Sequence, residues 1–424
     1  MLKPTIISGE GSIMFSKKNL SRRVFNAGAA AMAAGAASGL GFSIARAQSA
    51  ALKVGVVLPR SGPQGKIGQA CQQGVDLAVP VLRELGYQAI EQMQVDTETN
   101  VQRARAVTEK AIQDGAKLII GAFDSGATTA IAQVCEQRGV PLVINIAAAP
   151  PITEQGYKFV FRNFPTAIRI VQDALALQKE IFAMTGKAPK KGVLLHVNDT
   201  FGESVKGGIL ALFGGANMPY PLPAPIAYDP NARDLSAEVA VAKASGADIV
   251  WTVSRLNDSM LLTREMVKQR FEPMAIVSSG PGFYEDQYLK TLGKVADHVI
   301  SCVPTYDPNK PMTKKLRALA KTMFPDVNID TNHVYSFEAM LIAADAYKRA
   351  GSDNAVALAD ALRKTDIKDH SSVGDGIRFD AKGQNMTLGL AAVQNRGGKL
   401  LVVAPKAAAE DKVIFPVPGW RARG

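Results

Sequence analysis

The chain has 424 residues, 47% of them hydrophobic and 21% charged, which is too long for one average domain and too apolar for a disordered chain. Its 49 Lys+Arg against 38 Asp+Glu give a formal charge of +11, a balance that would suit a polyanionic or membrane partner if it were evenly spread. It is not: residues 1–47 hold Lys3, Lys17, Lys18, Arg22, Arg23 and Arg46 against Glu10 alone, leaving only +6 for the other 377 residues.

In chain order, the first predicted element is an export signal. A charged region ends at Arg22–Arg23, an Ala/Gly-rich apolar stretch runs from Ala27 to about Phe42, and Ala45-Arg46-Ala47 forms a small-x-small cleavage site. The apolar stretch falls short of the about 20 strongly apolar residues that span a bilayer. Ser-Arg-Arg-x-Phe resembles a twin-arginine signal. Residues 1–47 are therefore expected to be removed, with the mature chain starting near Gln48 and translation starting at Met1 or Met14. Export argues against nucleic-acid binding and ATP chemistry. No later stretch approaches 18 uninterrupted apolar residues, so the mature chain is expected to be soluble. Three cysteines, Cys71, Cys135 and Cys302, cannot build a disulfide framework and are expected as free, buried thiols.

From the mature start, strand and helix signals alternate. Leu52–Leu58 (LKVGVVL) is a predicted strand, 67–85 a helix stopped by Gly86, Val101–Gln113 a second helix, and Lys117–Gly121 a strand. Ala127–Arg138 is predicted helical and ends at Gly139, with a strand at Val140–Asn145. The pattern restarts with strands at Gly192–Val197, Ala247–Val253, Met274–Ser278 and His298–Cys302, and helices near 202–213 and 234–245. Two long helices follow, 332–350 and 354–364, then a β-rich tail containing GIRFD, LAAVQNR and KLLVVAP. Short apolar strands separated by helices predict parallel sheets covered on both faces, in two α/β lobes. The stretch Pro219–Pro225 reads as an ordered loop of extended backbone.

Catalytic motifs are missing: no G-x-S-x-G, C-x-x-C or H-E-x-x-H occurs. The four histidines, His196, His298, His333 and His370, lack metal-ligand spacing, and His196 and His298 fall in predicted strands as structural residues. No catalytic residue, metal or cofactor is expected. Gly62-Pro-Gln-Gly65-Lys66-Ile-Gly68 has neither dinucleotide-loop nor P-loop order and reads as a turn into the first helix. Ser125-Gly126 is more informative, since it follows strand KLIIG and opens a helix. Backbone N–H groups, a hydroxyl and the positive helix end converge there on an anion, unless the serine is an ordinary N-cap.

Several stretches together resemble the periplasmic leucine/isoleucine/valine-type substrate-binding proteins of ABC transporters. VGVVLPRSGPQGKIGQACQQGVDLAV resembles the family's first strand, turn and helix, and IIGAFDSGATTAIAQVCEQRGVPLVINIAAAPPIT its central binding segment. LLHVNDTFGES, WTVSRLNDSMLLTREM and IVSSGPGFYED resemble the second lobe's strand-end loops, and GIRFDAKGQN and IFPVPGW the tail. The resemblance implies a type I periplasmic-binding fold, two Rossmann-like lobes joined by three crossings near 164–168, 303–306 and 386–390. Lobe 1 would comprise 48–166 and 304–387, and lobe 2 residues 167–303 and 388–424. It also implies a periplasmic monomer that closes on a small amino-acid-like or carboxylate ligand by hinge motion and delivers it to an inner-membrane ABC permease without chemistry. A receptor feeding a chemoreceptor or histidine kinase, or an exported enzyme, are the alternatives.

By the same resemblance, the serine that grips a ligand α-carboxylate falls on Ser125, and two backbone-contact alanines on Ala147 and Ala148. The next position, usually threonine, is Ala149. A second-lobe aromatic falls on Phe201, a tyrosine position on Arg255, and the carboxylate that pairs with a ligand ammonium falls at Gly280-Pro281-Gly282, with Glu285 and Asp286 nearby but offset. An ammonium without a carboxylate partner is disfavoured, whereas an arginine offers a planar fork to a carboxylate. The sequence thus predicts an organic anion with an apolar or aromatic body, contacted by Ser125 and Arg255 and walled by Phe123 and Phe201. Asp124 is the complication, being placed to pair with Arg255 or with a ligand amine.

Overall fold

The computed structural model describes residues 51–423. The export signal at 1–47, its cleavage before Gln48 and the Met14 start lie outside the described residues.

The first sheet is all parallel, in the order β2-β1-β3-β4-β5, with β1 Leu52–Leu58, β2 Ile90–Asp96, β3 Leu118–Gly121, β4 Leu142–Ile144 and β5 Val160–Arg162. Its central strands are buried on both faces, and register neighbours such as Val54 and Leu118, or Leu142 and Val160, are aliphatic pairs. This is the reason they read as continuous apolar runs. β2 was not among the predicted strands. It is the edge strand, and Glu91, Gln92 and Gln94 break up its apolar signal.

Helices α1 (Gly65–Glu84), α2 (Val101–Gln113) and α3 (Ser125–Arg138) connect these strands. The chain then leaves the first sheet. After β5 it runs through α4 (Ala167–Thr185), which packs on the second sheet, into β6 (Gly192–Val197). α5 (Thr200–Leu212), β7 (Ile226–Tyr228), α6 (Ser236–Ala244), β8 (Ile249–Val253), α7 (Leu256–Lys268), β9 (Ala275–Ser278), α8 (Asp286–Leu292) and β10 (Ile300–Pro304) follow. A second crossing after Pro304 returns the chain to the first sheet as α9 (Pro311–Met323), α10 (Thr331–Ala350) and α11 (Ala355–Arg363). α10 lies so close along α1 that a Cβ at Gly74 would stand 2.2 Å from the His333 carbonyl oxygen, so only glycine fits there. A third crossing near Leu388 leads to the hairpin β11 (Leu390–Arg396) and β12 (Lys399–Ala404). The second sheet runs β12-β11-β10-β9-β8-β6-β7, parallel except for β11 and β12.

The fold class is thus the one predicted, two Rossmann-like units joined by three crossings. Several details differ. α4, α7, α8 and α9 were not predicted. GIRFD forms no regular strand, its Ile377 and Phe379 making only isolated bridges to Ile367 and Asn385. His298 lies just before β10 rather than in it, with a positive φ of 69°. Cys71, Cys135 and Cys302 are free and buried, and burial pushes the Cys71 and Cys302 thiols up to about 12, so they are unreactive at neutral pH. No described helix is long and apolar enough to cross a membrane.

Candidate functional site

The C-terminal ends of the parallel strands carry the loops that meet between the two sheets, the usual ligand position in open α/β sheets. From the first sheet, β3 ends at Gly121 and the chain turns through Phe123, held at φ 83° with its N–H donating to the Ile146 carbonyl at 3.1 Å. A bulky residue at positive φ is costly and persists where the surroundings over-determine it. Here that geometry aims the ring into the space between the sheets. β4 ends in the loop Ile146–Ala149. From the second sheet come Phe201 in the first turn of α5, Arg255 at the N-terminus of α7, and Ser279–Tyr284 after β9.

These loops line a cavity whose empty space, counted with the solvent it opens to, is about 440 Å³. Five of the predicted site residues line it: Phe123, Ala147, Ala148, Phe201 and Arg255. Sequence reasoning missed Ile146, Phe164, Ile170, Ser279, Tyr284, Val303 and Pro304, and from the loop at 280–282 it had taken only Gly282 as a ligand residue. Phe164, Val303 and Pro304 lie on two of the predicted crossings, which must border any space between the lobes, and that signal was available. The Ser279 hydroxyl accepts from Trp251 Nε1 at 2.9 Å and keeps its own proton to donate.

Four predicted site residues do not line the cavity. Asp124, not Ser125, is the N-cap of α3, its carboxylate accepting from the Ala127 N–H at 3.0 Å, and the helix starts at Ser125 rather than near Ala127. Ser125 is buried behind the wall, its hydroxyl accepting from the Ala149 N–H at 3.4 Å. Ala149 is thus tied to Ser125 through its backbone N–H and is buried. Gly282 lies beneath Arg255, where a Cβ would stand 2.1 Å from the Arg255 carbonyl oxygen. No side chain fits at 282, and a carboxylate there is sterically excluded.

Arg255 differs most from its predicted role. Its guanidinium bonds Asp199 through Nη1 and Asp124 through Nη2, the latter at 3.1 Å, while its Cζ lies 5.3 Å from the centre of the Phe201 ring. Burial opposes its charge, and Asp199 and Asp124 more than offset that. The planar fork is thus occupied by two carboxylates of the chain itself, one from each sheet's loops, so it is not free for bidentate capture of a ligand. Nε is buried without a partner. Asp258, in the first turn of α7, accepts from the Arg255 N–H at 2.9 Å and from the Tyr228 hydroxyl at 2.6 Å.

Glu285 lies away from the cavity, against α1 and the start of α10. It is 4% exposed, its Oε1 has no hydrogen-bond partner, and burial, helped by Asp330 and Asp258, holds its carboxyl well above the usual range. A carboxyl whose charged form burial disfavours, and which lines another pocket, is poorly placed as a counter-ion for an ammonium in this one. Among the described residues no cluster of three His, Cys, Asp or Glu could hold a metal. His196 is kept neutral by burial and bonds the Val197 carbonyl at 3.1 Å.

The comparisons with known proteins agree with this geometry. Over 384 residues the chain is 27% identical to the Leu/Ile/Val-binding protein homolog 7 of Brucella suis biovar 1, covering 87% of this chain and 95% of that one. A leucine-binding protein from Thermotoga maritima superposes with a TM-score of 0.72 at 20% identity, covering 83% of this chain and 98% of that one. A solute-binding protein of an ABC transporter from R. palustris, solved in complex with benzoate, superposes with a TM-score of 0.71 at 20% identity, covering 87% and 97%. The periplasmic binding protein family model matches residues 51–399, and the chain belongs to that family.

Proposed function

We propose that this chain is the periplasmic solute-binding component of an ABC importer, and that its ligand is a small carboxylate with an apolar or aromatic body and no α-amino group. In this reading it works as a monomer, holds the ligand between its lobes and hands it unchanged to an inner-membrane permease. One observation carries the ligand class: the cavity wall is built of Phe123, Ile146, Phe164, Phe201, Val303 and Tyr284, and among the described residues no carboxylate lines it. An ammonium there would lose its hydration without a partner. A carboxylate finds donors in the Ser279 hydroxyl and in the N–H groups of the Ala147–Ala148 loop, while Arg255 fixes the wall and ties the lobes together through Asp124 and Asp199. The fold accommodates both ligand classes, since its structural neighbours include a protein solved with isoleucine and another with benzoate, so the choice rests on the lining residues.

Calorimetric titration tests the reading. Benzoate or a branched aliphatic carboxylate is expected to bind at micromolar affinity and leucine to fail. Tight leucine binding overturns it.

A further inference from the structure

Beneath the cavity lies an arginine that plays no part in the predicted site. Arg162, the last residue of β5, is 0% exposed. A buried guanidinium is ordinarily matched by a carboxylate, yet every acceptor around this one is neutral. Nε donates to Gln384 Oε1 at 2.6 Å, Nη2 to Thr153 Oγ1 at 2.7 Å, and Nη1 to the carbonyls of Ala147 and Ala149 at 3.2 and 2.7 Å. Its nearest charges, Glu154 and Asp380, act only at a distance, and burial draws it down to about 9, still charged at neutral pH.

The bond to the Ala147 carbonyl has a directional consequence. In a planar trans peptide the N–H points opposite to the C=O. The peptide that turns its oxygen to Arg162 therefore turns the Ala148 N–H away from it, on the side where Ala147 and Ala148 line the cavity. That N–H meets no acceptor among the described residues. A positive charge on the carbonyl side polarises the N–H on the other side, and this lasts because Arg162 is buried away from bulk solvent and bonds no carboxylate. The Arg255 cluster cannot replace this charge, since it sets one positive side chain against two carboxylates.

We infer that Arg162 is a positioning and specificity-determining residue: it acts through the Ala147–Ala148 peptide to make the cavity select anions, and a bound carboxylate is the counter-charge it lacks. This rests on the carboxylate reading above. It differs from a merely structural role, which would affect charged and neutral ligands alike.

The experiment compares benzoate with nitrobenzene, its uncharged isostere, by titration of the full mature chain and two variants. Arg162→Gln removes the charge. Thr153→Asp keeps the arginine and places a carboxylate on its Nη2, which decides the matter if Arg162→Gln fails to fold by circular dichroism. In each folded variant the dissociation constant for benzoate should rise at least about tenfold, while that for nitrobenzene stays within about threefold. Equal losses for both ligands, or unchanged preference for benzoate, overturn the inference. Wild-type protein that binds no benzoate or aliphatic carboxylate overturns the carboxylate reading and this inference with it, whereas wild-type binding with an unmoved ratio overturns this inference alone.

Discussion

The cavity is flanked by two buried arginines whose surroundings are opposites. Arg162 lies within the first sheet's unit and bonds only neutral oxygens. Arg255 comes from the second sheet and bonds two carboxylates, of which Asp124 belongs to the first. One residue type thus does two jobs. At Arg162 it shapes a loop and leaves its charge unbalanced, so its field reaches whatever binds. At Arg255 the charge is spent within the chain, and what remains is a tie between lobes. Local neighbours, not residue identity, decide whether an arginine recognises an anion.

The largest expected effect is at Arg162. Arg162→Met leaves the carbonyls of Ala147 and Ala149 and the side chains of Thr153 and Gln384 without their donor, and should cost about 3–5 kcal/mol in chemical denaturation. Arg255→Met should cost folding less, because its partners are one-fifth exposed and rehydrate. Its effect is on closure: a double-mutant cycle with Asp124→Asn should show about 1–3 kcal/mol of coupling in ligand binding, and small-angle scattering should show a more open chain. Equal stability losses at the two arginines would erase the contrast between them. Next in size is Gly282→Ala, whose Cβ would meet the Arg255 carbonyl. It should destabilise by about 1–3 kcal/mol and displace Arg255, weakening binding as the Arg255 variant does.

This contrast also marks where sequence reasoning ends. The alternation of elements was legible because buried parallel strands such as β1 and β3 are continuous aliphatic runs. The β2 edge was not, since none of its residues is fully buried and Glu91 and Gln94 face water. The cavity positions at Ala147, Ala148 and Phe201 were legible only through the family resemblance, and Phe123 through its place beside Ser125. The occupation of Arg255 was only half legible: Asp124 stood beside Ser125 as a possible partner, but Asp199 lies 56 positions away from Arg255 and only the fold brings it there. Arg162 was invisible for the same reason. Its partners Thr153 and Gln384 are separated by 231 positions, and nothing in a strand-ending arginine says that it will be buried without a carboxylate.

The smallest expected effect extends the comparison to a buried acid. The Glu285 carboxyl is held well above the usual range by burial, with Asp330 and Asp258 adding to the shift, whereas the buried Glu338 is held below it because His370, the Ser372 N–H and the Asn163 amide favour its charge against the cost of burial. The two therefore pull stability in opposite directions as pH changes. Above the ordinary carboxylate range near 4.5 the unfolded chain loses the Glu285 proton sooner than the folded chain does, so this group weakens the fold as pH rises through that range. Glu338 does the reverse, its contribution being present at neutrality and lost as pH falls through and below that range. Glu285→Gln preserves the neutral form at every pH. Its melting temperature should exceed that of the wild type at pH 8 and converge with it near pH 4, as followed by circular dichroism. A variant less stable than wild type at pH 8 would mean that Glu285 is ionised and paired in the folded chain, and the contrast with Glu338 would be lost.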